Sequence, residues 1–220
     1  YKEGNMIKIS PSILAAENRI NSIKQINETR AEYIHIDSMD GIFVPNTSFS
    51  LREINDLFAI CSLKKDVHIM IQNPYENATK YLEIATDILT FHLEACKDEE
   101  EAIALINKIH SYNKLAGISI KPKTEVSMLK NILPLIDLVL VMSVEPGLGG
   151  QPFMTNALDK IRELKNAKEE NNYNYIIEVD GGIKPNTGKL CKEAGVDMLV
   201  SGSYIFKEDL IEERMKELFE

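Results

Sequence analysis

Tyr33-Ile34-His35-Ile36-Asp37 is an apolar run that carries an imidazole and a carboxylate two residues apart. Alternate side chains of an extended strand share a face, so His35 and Asp37 project together. Side by side they can bind one divalent cation or share one proton transfer. The pattern partly repeats downstream. Val67-His68-Ile69-Met70 sets a second histidine in a similar strand, and Ile176-Ile177-Glu178-Val179-Asp180-Gly181-Gly182 ends a third on an aspartate.

Working outward, the same kind of run recurs at Ile7–Ile13, Asp66–Ile71, Ile88–Leu93, Leu115–Ile120, Leu138–Val144, Tyr175–Val179 and Met198–Ser201. With Tyr33–Asp37 these make eight strands, most of them carrying β-branched residues. Helical patterns lie between them. Ile20, Ile23 and Ile26 stripe the first, Leu158, Ile161 and Leu164 the sixth, and Leu210, Ile211, Met215 and Leu218 the last. Asn186 after Pro185 suits a cap for a short helix through Ala194, which Gly195 ends. Strict β-α alternation implies parallel strands and right-handed crossovers. Eight such units in 220 residues predict an α/β fold of the single-domain (β/α)₈ barrel type. A doubly wound open sheet is the alternative, but the first βα turn, Ser12 to Glu17, lacks a Gly-rich fingerprint. No linker or repeat divides the chain, so residues 6–220 are expected to form one domain. Tyr1 to Asn5 before Met6 read as a short extension or expression remnant.

A net charge of −9 argues against an extended nucleic-acid or anionic-membrane surface, though not against a small phosphorylated substrate. No apolar run approaches the roughly 20 residues of a membrane helix, and no signal peptide is visible. Cys61, Cys96 and Cys191 are odd in number and form no CxxC, which fits free thiols in a reducing cytoplasm.

Barrel enzymes build their sites at the C-terminal ends of the strands. There the sequence puts Ser12, Asp37, His68, Met70 and Asp180, with Gly-rich segments Pro146-Gly147-Leu148-Gly149-Gly150-Gln151 and Ser201-Gly202-Ser203 after strands six and eight. His35, Asp37, His68 and Asp180 form a mixed nitrogen–oxygen ligand set suited to one divalent cation, zinc or ferrous iron ahead of manganese or cobalt. Such a cation polarises a hydroxyketone and favours the enediolate formed by α-proton loss. Asp37 and Asp180, expected on opposing sides of the mouth, can then remove and return a proton on opposite faces of one carbon, which inverts it. Gly147, Gly149 and Gly150 suit an anion-binding nest, to which Gly181-Gly182 and Gly202-Ser203 add N–H donors.

Several residues have plainer readings. Met39, Met70 and Met142 read as core or pocket wall, and Asp40-Gly41 as a turn. His92 and His110 read as surface residues or as partners behind the site, and Lys121-Pro122-Lys123 as a solvated loop.

From Pro11-Ser12-Ile13-Leu14 to Val200-Ser201-Gly202-Ser203, the chain resembles the ribulose-phosphate 3-epimerase family. The resemblance is carried by His35-Ile36-Asp37-Ser38-Met39-Asp40-Gly41, Phe43-Val44-Pro45-Asn46 and Asp66-Val67-His68-Ile69-Met70. It extends through Met142-Ser143-Val144-Glu145-Pro146-Gly147-Leu148-Gly149-Gly150-Gln151 and Glu178-Val179-Asp180-Gly181-Gly182. It implies a barrel that interconverts D-ribulose 5-phosphate and D-xylulose 5-phosphate, with metal on His35, Asp37, His68 and Asp180 and the two aspartates as acid/base pair. By the same resemblance Ser12 and His68 touch the substrate. Gly147, Leu148, Gly149, Gly150, Gly181, Gly182, Gly202 and Ser203 surround its distal, phosphate-bearing portion, and Met39, Met70 and Met142 stand beside the reacting carbons. Ala15-Ala16-Glu17, Ser38 and Leu148 depart from the family pattern without removing a ligand.

The expected partners are a phosphorylated ketose and further copies of the chain in a homo-oligomer, with neither nucleic acid nor membrane. Alternatives are the same chemistry on a ketohexose 6-phosphate such as allulose 6-phosphate, an aldolase or phosphatase on this barrel, or a non-catalytic phosphosugar-binding barrel.

Overall fold

All eight expected strands form: β1 (Lys8–Pro11), β2 (Tyr33–Met39), β3 (Lys64–Met70), β4 (Ile88–His92), β5 (Leu115–Ile120), β6 (Leu138–Met142), β7 (Ile176–Asp180) and β8 (Met198–Ser201). The computed structural model describes residues 6–220, so the extension expected over Tyr1 to Asn5 lies outside the described residues. From β2 to β8 each strand pairs in parallel with the next, and β8 pairs with β1 from Lys8↔Met198 to Pro11↔Ser201. The β1–β2 seam is joined by an isolated parallel bridge between Ser12 and His35. A doubly wound sheet grows outward from its middle, so a ladder between first and last strands excludes it. The fold is a nearly closed (β/α)₈ barrel.

Strand alternation divides the core into two compartments. Ile34, Ile36, Val67 and Ile69 face outward and pack with helix residues such as Ile23, Ile54 and Leu105. Tyr33, Ile88, Leu138, Leu140 and Met198 fill the barrel interior. Because both faces are covered, strands such as Leu138–Met142 are apolar throughout rather than alternating.

The helices begin where local chemistry fixes them. Ser50 opens Leu51–Ile60 with a capping box: its Oγ accepts from Glu53 N–H at 3.2 Å, and Glu53 Oε2 accepts from Ser50 N–H at 2.7 Å. Asp98 caps Glu99–Ser111 through Glu101 N–H at 2.9 Å, with three glutamates in the first turn favoured by the helix dipole.

Four details depart from the expected pattern. Ile20 is 54% exposed while Ile23 and Ile26 are buried. At 100° per residue, six residues leave Ile20 and Ile26 about 120° apart, so one stripe cannot hold both. Leu210 is exposed because it caps the last helix, Ile211–Phe219, from outside. Pro185 takes the first position of the helix Pro185–Ala194, making Lys184 the cap and leaving Asn186 inside the first turn. Among the described residues, the crossover from β5 to β6 carries a 3-10 segment, Val126–Leu129, in place of an α-helix. Pro122 and Pro134 bracket that stretch, and each disfavours α conformation in the residue before it.

Candidate active site and metal centre

The C-terminal ends of β2, β3 and β7 bring His35, Asp37, His68 and Asp180 together, with one ligand atom from each inside a 4.8 Å cluster. His35 Nε2 lies 3.0 Å from Asp37 Oδ1 and 3.6 Å from Asp180 Oδ2; His68 Nδ1 lies 3.1 Å and 3.9 Å from the same atoms. Around the barrel β2 and β7 stand three places apart. With four places the most that eight strands allow, the two aspartates reach the cluster from nearly opposing sides of the mouth. Both histidines are wholly buried, whereas Asp37 and Asp180 keep some exposure. Two imidazole nitrogens and two carboxylate oxygens aimed at one point fit a divalent cation.

The nitrogens turned away from the cluster are also occupied. His35 Nδ1 lies 2.8 Å from Asp66 Oδ2, which accepts from Ser10 Oγ at 3.0 Å. His68 Nε2 lies 2.7 Å from His92 Nε2, and His92 Nδ1 lies 3.0 Å from Glu94 Oε1. Partners of this kind orient metal-binding histidines and fix which nitrogen is bare.

The charges follow from burial and neighbours. Burial disfavours a charge on His35, but the carboxylates of Asp37 and Asp66 outweigh it and hold its pKa well above that of an ordinary imidazole. Burial likewise opposes ionisation of Asp37, yet His35 and His68 keep its carboxyl well below the usual range. Glu178, buried one layer beneath on β7, is pushed well above the ordinary range by burial and then by Asp66. Burial lowers His92 to about 4, so at neutral pH its ring is uncharged.

Above the cluster opens a cavity of about 960 Å³. Ser12, Asp37, Asp180 and the methionines Met39, Met70 and Met142 line its lower part, with Gly147, Leu148, Gly149, Gly150, Gly181, Gly182, Gly202 and Ser203 in its wall. Ser12 donates from Oγ to Asp37 Oδ2 at 3.0 Å. Two glycines are required by geometry. Gly147 has φ 92°, and a Cβ there would lie 2.5 Å from Val44 Cβ; Gly182 has φ 66°, and its Cβ would lie 2.7 Å from the Phe153 nitrogen.

His68 is fully buried behind the cavity lining, with its ring against His92 and Asp37. His92 is itself fully buried, which removes the surface reading and leaves the role behind the site. His110 is exposed and pairs with Asp137 at 2.7 Å, away from the cluster. Asp40-Gly41 is a turn, with Asp40 Oδ1 accepting from Ile42 and Phe43 N–H at 2.8 Å. Sequence reasoning passed over Ser10, Asp66, Glu178 and Glu94. It also missed Lys184 and Lys207, the cations in the cavity lining.

The model of the ribulose-phosphate 3 epimerase family matches residues 8–206. Ribulose-phosphate 3-epimerase of Bacillus subtilis is 39% identical over 204 residues, 91% of this chain and 93% of that protein. That of Treponema pallidum is 37% identical, with 92% of each chain covered. Among solved structures, Mycobacterium tuberculosis tryptophan synthase superposes with a TM-score of 0.70 at 12% identity, covering 98% of this chain and 92% of that one. At that identity the likeness concerns the fold alone.

Proposed function

This chain belongs to the ribulose-phosphate 3-epimerase family and is a carbohydrate epimerase; from that premise we propose that it interconverts D-ribulose 5-phosphate and D-xylulose 5-phosphate at C3 through an enediolate. The observation that carries the mechanism is the convergence of Asp37 and Asp180 with two histidines at the floor of one cavity. In this reading His35, Asp37, His68 and Asp180 hold a divalent cation, zinc or ferrous iron by donor chemistry, with manganese and cobalt admissible. When bound, that cation supplies Lewis acidity, which makes the C–H beside the ketone acidic enough to be removed.

The chain's own groups do the rest. Asp37 has to be ionised to accept a proton, and in the metal-free chain His35 and His68 already hold its carboxyl below the usual range. One aspartate takes the C3 proton, and the other gives a proton to the opposite face, which inverts the centre. Ser12 holds one oxygen of Asp37 and leaves the other turned toward the histidines. Met39, Met70 and Met142 give the enediolate an apolar, polarisable wall that limits water. The glycine backbone of residues 147–150, 181–182 and 202, with Ser203, surrounds the phosphate, and Lys184 and Lys207 offset the carboxylates.

Three free cysteines, Cys61, Cys96 and Cys191, support a reducing compartment such as the cytoplasm.

The test is a substrate comparison. The proposal predicts isomer formation from D-ribulose 5-phosphate, at least about tenfold better in kcat/KM than from allulose 6-phosphate, and no inorganic phosphate released. A preference for the hexulose would move the substrate assignment. Phosphate or a cleaved fragment as product would overturn the reaction.

A further inference from the structure

We propose that Glu94 and His92 are positioning residues that set the tautomer of His68 and so make its Nδ1 a bare metal donor; the inference rests on the metal site of the preceding section.

His68 Nε2 and His92 Nε2 stand 2.7 Å apart, a distance at which one nitrogen carries the hydrogen and the other accepts it. A neutral imidazole has one N–H. For His68 to offer a bare Nδ1 to the cluster, its hydrogen must sit on Nε2, and His92 Nε2 must then be the acceptor. That holds only if His92 carries its own hydrogen on Nδ1.

Glu94 enforces this arrangement. Its Oε1 lies 3.0 Å from His92 Nδ1, and a carboxylate there can only accept. Its other oxygen accepts from Lys121 N–H at 3.0 Å, so the carboxylate cannot turn away. Burial opposes the charge on Glu94, but its contacts with His92, the Lys121 N–H and Thr124 together keep the carboxyl below the ordinary glutamate range. The relay is also shielded. Phe43 packs on His92 with ring centroids 5.2 Å apart, and Lys121 Nζ lies 4.3 Å from the centre of the Phe43 ring. The chain thus runs in one direction, from Glu94 through His92 to His68, and ends on a lone pair aimed at Asp37 and Asp180. His35 reaches the same state more simply, through direct contact of Nδ1 with Asp66.

Two measurements test the relay. Nitrogen NMR of the isotope-labelled, zinc-loaded wild-type chain should find the hydrogen of His92 on Nδ1 and that of His68 on Nε2. A hydrogen on His92 Nε2 would overturn the proposal. In Glu94→Gln, the Lys121 N–H claims the amide oxygen and the NH₂ faces His92 Nδ1, which reverses the relay. Chelator competition should then show zinc held about tenfold to a hundredfold more weakly, with an unchanged circular dichroism spectrum. Glu94→Asp, which keeps an acceptor, should recover part of that loss. Wild-type affinity in Glu94→Gln would overturn the relay while leaving the metal site standing. A wild-type chain that binds no zinc at this site would overturn both. If Glu94→Gln does not fold, the wild-type tautomers decide.

Discussion

Ser12 Oγ stands 3.0 Å from Asp37 Oδ2, while the Ser12 backbone bridges to His35 across the β1–β2 seam. The residue that joins the first two strands thus also holds the carboxylate at the floor of the cavity. Ser12→Ala removes a hydrogen bond to a charged group, an interaction of about 1.5–3 kcal/mol. We expect kcat/KM to fall roughly tenfold to a hundredfold with the far-ultraviolet spectrum unchanged. Unaltered steady-state kinetics would show that Asp37 needs no help from Ser12.

Gly182 and Gly149 make a matched pair. Gly182 has φ 66°, and a Cβ there would lie 2.7 Å from the Phe153 nitrogen, whereas a Cβ on Gly149 would meet nothing within 4 Å. Gly182→Ala should lower stability by about 1–3 kcal/mol and raise KM, because Phe153 must shift in the cavity wall. Gly149→Ala should stay within about 0.5 kcal/mol of the parent. Denaturant titration of both variants checks the contrast.

His92 gives the fold a pH dependence of definite sign. Its pKa falls from 6.5 to about 4 on burial, so between those values the unfolded chain takes up a proton that the folded chain does not. Its contribution is present above the unfolded pKa and is lost as pH falls. From pH 7 to pH 5 the loss is about 2 kcal/mol. His35 shifts in the opposite direction, so wild type is to be compared with His92→Gln. Urea titrations of chelator-treated protein should find wild type losing more stability on acidification than the variant. Equal losses would contradict a neutral, buried His92.

Chelation should abolish epimerisation without unfolding the barrel, since strand ladders and two apolar compartments hold the fold. Restoring zinc, ferrous iron, manganese and cobalt one at a time, with activity and bound metal measured together, identifies the cation. Full turnover in thoroughly stripped protein would remove the metal from the account.

The barrel was legible because each strand is a short β-branched run and each run is followed by a turn and an amphipathic stretch. Strand ends were also legible, and they yielded Asp37, His68 and Asp180. The layer beneath was read only at His35, although its signal was present throughout. Ser10, His35, Asp66 and Glu178 lie two residues before Ser12, Asp37, His68 and Asp180, and a period of two puts each pair on one inward face. Extending the alternation back from the site would have exposed Asp66 and Glu178 as buried partners. Glu94 had no such signal, because it lies in a 3-10 turn after β4, and only the folded chain brings it to His92. The helix missing from the fifth crossover was announced by Pro122 and Pro134.

The central claim is that Asp37 and Asp180 serve opposite faces of one carbon, and hydrogen exchange in D₂O tests it most directly. Asp37→Asn and Asp180→Asn are each incubated with D-ribulose 5-phosphate and with D-xylulose 5-phosphate, with bound metal measured in the same samples. The account predicts that both variants lose epimerisation by about a thousandfold or more. One variant should still exchange the C3 hydrogen of the ribulose isomer without inversion, and the other that of the xylulose isomer. Epimerisation within tenfold of wild type in either variant would contradict it.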